Sequence, residues 1–250
     1  MALCDFSYHR PESLAEAQAL SRRLGPAALY LAGGTELIPD FRRGADAASH
    51  LIALDGVRDL AGISINAGHL RIGAMTTIRE VAASAEVRRF LPALAEAALS
   101  LGSPQIRNLA TIGGNFCRAV PCADTPPPCM AAGAVLRVAG ENGIRPVAAD
   151  AFFLGPRKTL LEPGEILVEI LIPTQPPSSG VSYQRFARRR GSALAVASVA
   201  ARLVLEGERS ASARVALGSV APVPMLAGRT ATTLEGERTT EEVFARAAAE

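Results

Sequence analysis

Two pairs of adjacent glycines, Gly33-Gly34 and Gly113-Gly114, constrain this chain more than any other feature of its sequence, and each follows an apolar stretch that reads as a buried strand. Glycine has no Cβ, so adjacent glycines can take positive φ, turn successive N–H groups the same way and form an anion-holding nest. Two such loops in one chain can clamp two phosphates. Thr35 and Asn115 add side-chain donors beside the nests, and Thr111 is placed to bond a phosphate oxygen or to fix its loop. A single glycine pair is more often a plain turn, so it is the occurrence of two in the same context that points to a ligand. No Gly-x-Gly-x-x-Gly opens a helix and no Gly-x-x-x-x-Gly-Lys-Ser/Thr occurs, which sets aside a Rossmann dinucleotide site and a P-loop.

The segments around the glycines alternate between helix and strand signals. Pro11 to Leu24 reads as a helix with Leu14, Ala17, Leu20 and Leu24 along one face, stopped by Gly25-Pro26. Ala27 to Ala32 and His50 to Leu54 are apolar runs too short for stable helices and read as strands of an α/β layer. Alternation from Ile63 to Ala74 around Asn66-Ala67-Gly68 predicts a hairpin. Helical patterns cover Thr76 to Ala83, Pro92 to Leu101 and Asp124 to Ala132, with strands at Ala134 to Val138 and Ile166 to Ile172. Thr174 to Gly180 combines helix breakers with little apolar surface and reads as a linker. Beyond it, Val181 to Phe186, Val196 to Leu205 and Ala213 to Val220 predict a small antiparallel sheet, with a helix from Thr239.

Composition narrows the function classes. With 49% hydrophobic and 20% charged residues the chain has the makings of a sizeable core, and a net charge of +2 gives no basic field for nucleic acid. The only dense basic run is Arg188-Arg189-Arg190, which reads first as a solvated face. The N-terminus carries Asp5 and no sustained apolar stretch, so the expectation is a cytoplasmic, unprocessed chain with no membrane insertion. Cys4, Cys117, Cys122 and Cys129 then read as thiols. The last three are spaced C-x4-C-x6-C, but a fourth ligand nearby is missing and a helix runs through the segment, so they read as small buried hydrophobes. His9, His50 and His69 are isolated in sequence, and no metal ligand set is expected.

Three strings carry a resemblance. Tyr30-Leu31-Ala32-Gly33-Gly34-Thr35-Glu36-Leu37, Ile72-Gly73-Ala74-Met75-Thr76-Thr77, and Ile106 to Asn115 followed by Pro121 and Asp124 resemble the FAD-binding medium subunit of the molybdenum hydroxylases, the xanthine dehydrogenase, carbon monoxide dehydrogenase and aldehyde oxidase family. Glu165-Ile166-Leu167 leading to Ile172-Pro173, and Tyr183 to Arg190 before an Ala-rich strand, extend the likeness over nearly the whole chain. The resemblance implies an α+β fold: a vanillyl-alcohol-oxidase-like (PCMH-type) FAD-binding domain at 1–175, with α/β subdomains at about 1–55 and 56–175, and a C-terminal α+β domain at 176–250 with a three-stranded antiparallel sheet. It implies noncovalent FAD, with Tyr30, Leu31, Ala32, Gly33, Gly34, Thr35, Glu36 and Leu37 as one pyrophosphate loop and Thr111, Ile112, Gly113, Gly114 and Asn115 as the other. By the same carry-over Asp124 accepts hydrogen bonds from the ribityl or ribose side, and Leu101 and Leu167 border the cofactor. Arg185 stands where the family usually has a lysine near the isoalloxazine ring. No catalytic residue is expected.

The function implied is that of an electron-transfer subunit in a hetero-oligomer. It would take electrons from an iron–sulfur subunit, beside a molybdopterin-binding large subunit that performs the hydroxylation, and pass them to an external acceptor. Two alternatives stand beside it: a free-standing FAD-dependent oxidoreductase of the same fold, and a scaffold subunit that has lost its flavin. The retained glycine pairs, Asn115 and Asp124 argue against the scaffold.

Overall fold

The structure, a computed structural model, describes residues 5–45, 47–189 and 191–250. Its first helix, Leu14–Leu24, starts where the Ser13 hydroxyl accepts the Glu16 amide and ends at Gly25, whose φ of 60° turns the chain. Three short strands, β1 (Ser7–His9), β2 (Ala28–Leu31) and β3 (His50–Ala53), form an all-parallel sheet with β3 in the centre. The expected hairpin follows as β4 (Ile63–Asn66) and β5 (His69–Gly73). Ala67 and Gly68 between them both take positive φ, 46° and 75°, which matches the right-handed twist of the strands they join.

The larger sheet continues with β6 (Val135–Gly140) and β7 (Gly143–Ala148), and a small pair, β8 (Phe153–Gly155) with β9 (Lys158–Thr159), leads to β10 (Ile166–Pro173). The order β4-β5-β10-β6-β7 makes β10 the middle of five antiparallel strands. Both faces of β10 are covered. Ile166 and Val168 pack with Ala17, Ile52 and Leu60 of the N-terminal layer, while Leu167, Ile170 and Ile172 pack into the main core with Leu70, Leu94 and Met130.

The C-terminal sheet is β11 (Ser179–Ala187), β12 (Ala195–Glu206), β13 (Arg209–Gly218) and β14 (Met225–Leu226). It therefore has four strands where the sequence suggested three, because a two-residue segment too short to carry a pattern pairs with β13 through Leu217 and Ala216. One face of this sheet gives Tyr183, Ala200 and Ala216 to the main core. The other packs Val215 against Leu234 and Val243 of the helices Gly228–Leu234 and Glu241–Ala248.

The expected helices at 76–83, 92–101 and 124–132 are Ile78–Ala83, Pro92–Ser100 and Pro126–Ala131. The first begins at Ile78 because Thr77 and Glu80 cap each other's backbone, a capping box. One segment departs from expectation. Ile112–Cys117 is a helix capped by the Thr111 hydroxyl, so the second glycine pair lies in a first helical turn and not in a loop.

Candidate functional site

Beyond β2 the chain runs through Ala32, Gly33, Gly34, Thr35 and Glu36 into the helix Leu37–Arg43. Gly34 alone of the four paired glycines takes a positive φ, 68°. Gly33 answers to a different demand: a Cβ on it would stand 1.9 Å from the Leu109 carbonyl oxygen, so the first loop rests directly on the backbone before the second. The amides of Gly33, Gly34, Thr35 and Glu36 donate to no protein acceptor among the described residues. These are the donors a nest requires.

The second pair works otherwise, and the expectation of a second nest is corrected. Ile112 donates to Thr76, Gly113 to Ala74, Gly114 to the Thr111 hydroxyl and Asn115 to the Thr111 carbonyl, so all four amides are committed inside the protein. Neither Gly113 nor Gly114 takes positive φ. A Cβ on Gly113 would lie 2.6 Å from Ala74, which makes Gly113 a close-packing residue. On Gly114 it would meet the Thr111 hydroxyl at 3.0 Å and Ala32 Cβ at 3.8 Å, so Gly114 is the bare surface that faces the first loop.

Between the two segments lies a cleft of about 390 Å³. It is lined by all of Tyr30, Leu31, Ala32, Gly33, Gly34, Thr35, Glu36 and Leu37, and by Leu101, Thr111, Gly113, Gly114, Asn115 and Leu167. Ile112, Asp124 and Arg185 are not among its lining residues. Ile112 is fully buried in the main core, where it anchors the helix that carries the glycines. Asp124 and Arg185 pair with each other at 2.8 Å, with the Tyr183 hydroxyl donating to the same carboxylate oxygen at 2.9 Å. Thr125 donates through its amide and hydroxyl to Asn115 Oδ1, at 3.3 and 2.6 Å, which leaves the Asn115 amino group as that side chain's remaining donor capacity.

Burial dominates the electrostatics of this network. It lifts the Asp124 carboxyl above its ordinary range, and Arg185 and Tyr183 draw it back only in part. Burial, reinforced by the neighbouring Asp124, also pushes the Tyr183 hydroxyl well up. Arg185 spends its charge on Asp124 and on the Ala193 carbonyl.

Sequence reading missed three features of the cleft. Arg118 lines it and pairs with Asp40, a fully buried carboxylate that also meets Arg43 and, at 3.0 Å, Arg157. Asp40 thereby ties the helix after the first loop to the end of the helix that carries the second glycine pair. Glu165 also lines the cleft, held at 2.7 Å through each carboxylate oxygen by Arg145, which keeps it below the usual carboxylate range. The Tyr30 hydroxyl reaches the Gly164 carbonyl at 3.2 Å and joins β2 to that same turn. Glu165 had a signal in the sequence, as the acidic residue opening the string before β10, and Tyr30 stood in the first loop string, but its Gly164 partner and the Arg118–Asp40 pair had none.

The cysteines separate in the structure. Cys129 is buried in the core, and Cys117 lines the cleft with its thiol pushed up to about 12 by burial. Burial raises Cys122 as well, followed by the nearby Asp124 charge. Cys4 and Arg190 lie outside the described residues. His9 and His50, far apart in sequence, meet at 3.2 Å on adjacent strands, yet no group of three or more His, Cys, Asp or Glu among the described residues is placed to hold a metal ion. Among the described residues no helix is long and apolar enough to cross a membrane.

Comparison with known proteins shows the family along nearly the whole chain. The family described as FAD binding domain in molybdopterin dehydrogenase matches residues 4–175, and the CO dehydrogenase flavoprotein C-terminal domain matches residues 182–250. The carbon monoxide dehydrogenase medium chain of Afipia carboxidovorans is 37% identical over 92% of this chain and 80% of its own length. The putative xanthine dehydrogenase FAD-binding subunit of Escherichia coli is 36% identical over 88% of this chain and 75% of its own. A solved structure of the carbon monoxide dehydrogenase from Hydrogenophaga pseudoflava superimposes with a TM-score of 0.96 at 37% identity, covering 100% of this chain and 86% of that one. A free-amide loop set against a glycine-floored helix, on a fold shared along its full length, identifies the chain as a member of the FAD-binding subunit family of the molybdopterin dehydrogenases.

Proposed function

We propose that the cleft holds one FAD without a covalent bond and that the chain works as the electron-transferring subunit of a molybdenum-containing hydroxylase. The observation that carries this reading is the run of amides from Gly33 to Glu36 without protein acceptors, set opposite the bare surface of Gly114. Such amides suit a pyrophosphate, and any side chain at Gly114 would occupy the space a phosphate needs. Leu101 and Leu167 supply apolar walls, and Asn115 supplies a donor whose orientation is set by Thr125. In this reading Asp124 serves the ribose or ribityl side through the Asn115–Thr125 segment, and Arg185 acts on the site by way of Asp124.

FAD, when bound, supplies the capacity to take electrons singly and give them up as a pair. The chain's own residues hold and orient it and keep water from part of it. The iron–sulfur clusters and the molybdopterin belong to the partner subunits, an iron–sulfur chain and a large molybdopterin-binding chain. We place the complex in the cytoplasm, in keeping with cysteines that read as thiols, and the division between the two domains at residue 176.

The purified chain should carry one FAD, release it intact on acid precipitation, and be reduced by dithionite while remaining inert toward hydroxylase substrates. Adding the partner subunits should restore substrate-dependent reduction. Oxidation of a small substrate by the chain alone, free of iron and molybdenum, at the rate of the assembled complex would overturn the assignment.

A further inference from the structure

A second concavity, about 410 Å³, lies on the outside of the helix Pro104–Leu109. Leu101, Ile106 and Ala110 of this stretch line the FAD cleft, whereas Pro104, Arg107 and Asn108 line the outer groove, so one short helix separates the two. Three arginines converge on the groove: Arg79, Arg88 and Arg107. None is ion-paired among the described residues, and no carboxylate lines the groove. They are nonetheless held in place. Arg88 Nε donates to the Ala82 carbonyl at 3.2 Å, Arg107 Nη1 to the Leu101 carbonyl at 2.9 Å, and Arg79 Nη1 to Asn108 Oδ1 at 3.4 Å. Leu99, 63% exposed, sits among them.

We infer that this groove is the docking surface for an acidic face of the iron–sulfur subunit, an inference that rests on the function proposed above. Charge complementarity selects the occupant. Preorganised guanidinium groups without a carboxylate of their own suit carboxylates on a partner, and an exposed leucine among them suits an apolar side chain at the centre of the contact. Position selects which subunit. Electrons must reach the cleft across a short gap, and a partner seated here lies one helix away from Leu101 and Ile106.

The test measures binding of the FAD-loaded chain to the iron–sulfur subunit of its own complex, as a function of salt. Arg79→Glu/Arg88→Glu should weaken binding at low salt at least about tenfold, and should flatten the salt dependence, because the groove's steering field is lost. FAD content and reduction by dithionite should stay as in the wild type. Arg79→Glu alone, at an exposed position, should give a smaller loss in the same direction and guards against a folding defect in the double variant. Arg229→Glu, an equal charge change on a highly exposed arginine of the C-terminal domain, should bind normally. Wild-type affinity and salt dependence in the double variant, or an equal loss in Arg229→Glu, would overturn the docking surface. A wild-type chain that carries FAD yet binds no iron–sulfur subunit would instead strike the functional assignment itself.

Discussion

At the scale of single residues, the four glycines look alike in sequence and do three different things. Gly34 supplies a positive φ, Gly33 and Gly113 let backbone touch backbone, and Gly114 keeps a surface bare. Substitutions should separate these roles. Gly33→Ala and Gly113→Ala push a methyl into a carbonyl or a neighbouring alanine, an overpacking cost of roughly 1–3 kcal/mol or more, visible as a lowered midpoint of denaturation with or without flavin. In Gly114→Val the added Cβ instead meets a hydroxyl at 3.0 Å and, farther off, a methyl, so much of the fold should persist while FAD content falls severalfold. Wild-type flavin content in Gly114→Val would show that this position does not face the cofactor. The motif was legible in sequence because two glycine pairs, each following an apolar stretch, occur in one chain. The division of labour was not, since Leu109 and Ala74, which decide it, are remote along the chain from Gly33 and Gly113.

At the scale of elements, most of the order was legible because periodicity and breakers agree: the first helix, the hairpin at Ala67-Gly68 and the buried β10 all stand near where their patterns put them. The helix Ile112–Cys117 was not, and the reason is energetic. Two glycines in six residues cost it about 1 kcal/mol each relative to alanine, and it forms because Thr111 caps it and Ile112 and Phe116 bury themselves in the core. The turn before β10 offers a test of a second kind. Glu165 is held below its ordinary 4.5 by Arg145 on β7, so the native state favours its charged form. That contribution is complete above the unfolded value and is lost as the pH falls through the lower folded one. Glu165→Gln should therefore be less stable than the wild type at neutral pH, by a margin kept small because Arg145 is more than a third exposed, and the difference should shrink as the pH falls below the ordinary 4.5 and through the lower folded value. Denaturant titrations at several pH values read this directly. A difference that persists unchanged into acid would remove the ion pair as its cause.

At the scale of the whole molecule, the sequence reads the C-terminal sheet as part of a separate α+β domain behind a breaker-rich linker. Tyr183, Ala200 and Ala216 of that sheet pack into the same core as the five-stranded sheet, and the Tyr183–Asp124–Arg185 network continues that contact in polar form up to Thr125 and Asn115. This joint makes the C-terminal domain part of the cleft's support, and it predicts nothing that linker composition alone could have announced. Its electrostatics give the joint a pH signature. Both partners are nearly buried, so removing the cation in Arg185→Gln leaves Asp124 charged and poorly compensated at neutral pH, at a cost of about 3 kcal/mol on the scale for broken buried pairs. Burial already raises Asp124 in the wild type, and loss of Arg185 raises it further. A carboxyl whose folded value lies above its unfolded one adds to stability while it is protonated and loses that advantage as the pH rises through the folded value. The deficit of Arg185→Gln should therefore be greatest at neutral pH and shrink toward acid, where Asp124 is protonated in both proteins. If the two domains share one cooperative unit, the variant should lower a single transition monitored by flavin fluorescence and by far-ultraviolet circular dichroism together. Separate transitions, or a deficit that does not change with pH, would show that Arg185 and Asp124 do not couple the C-terminal sheet to the cleft.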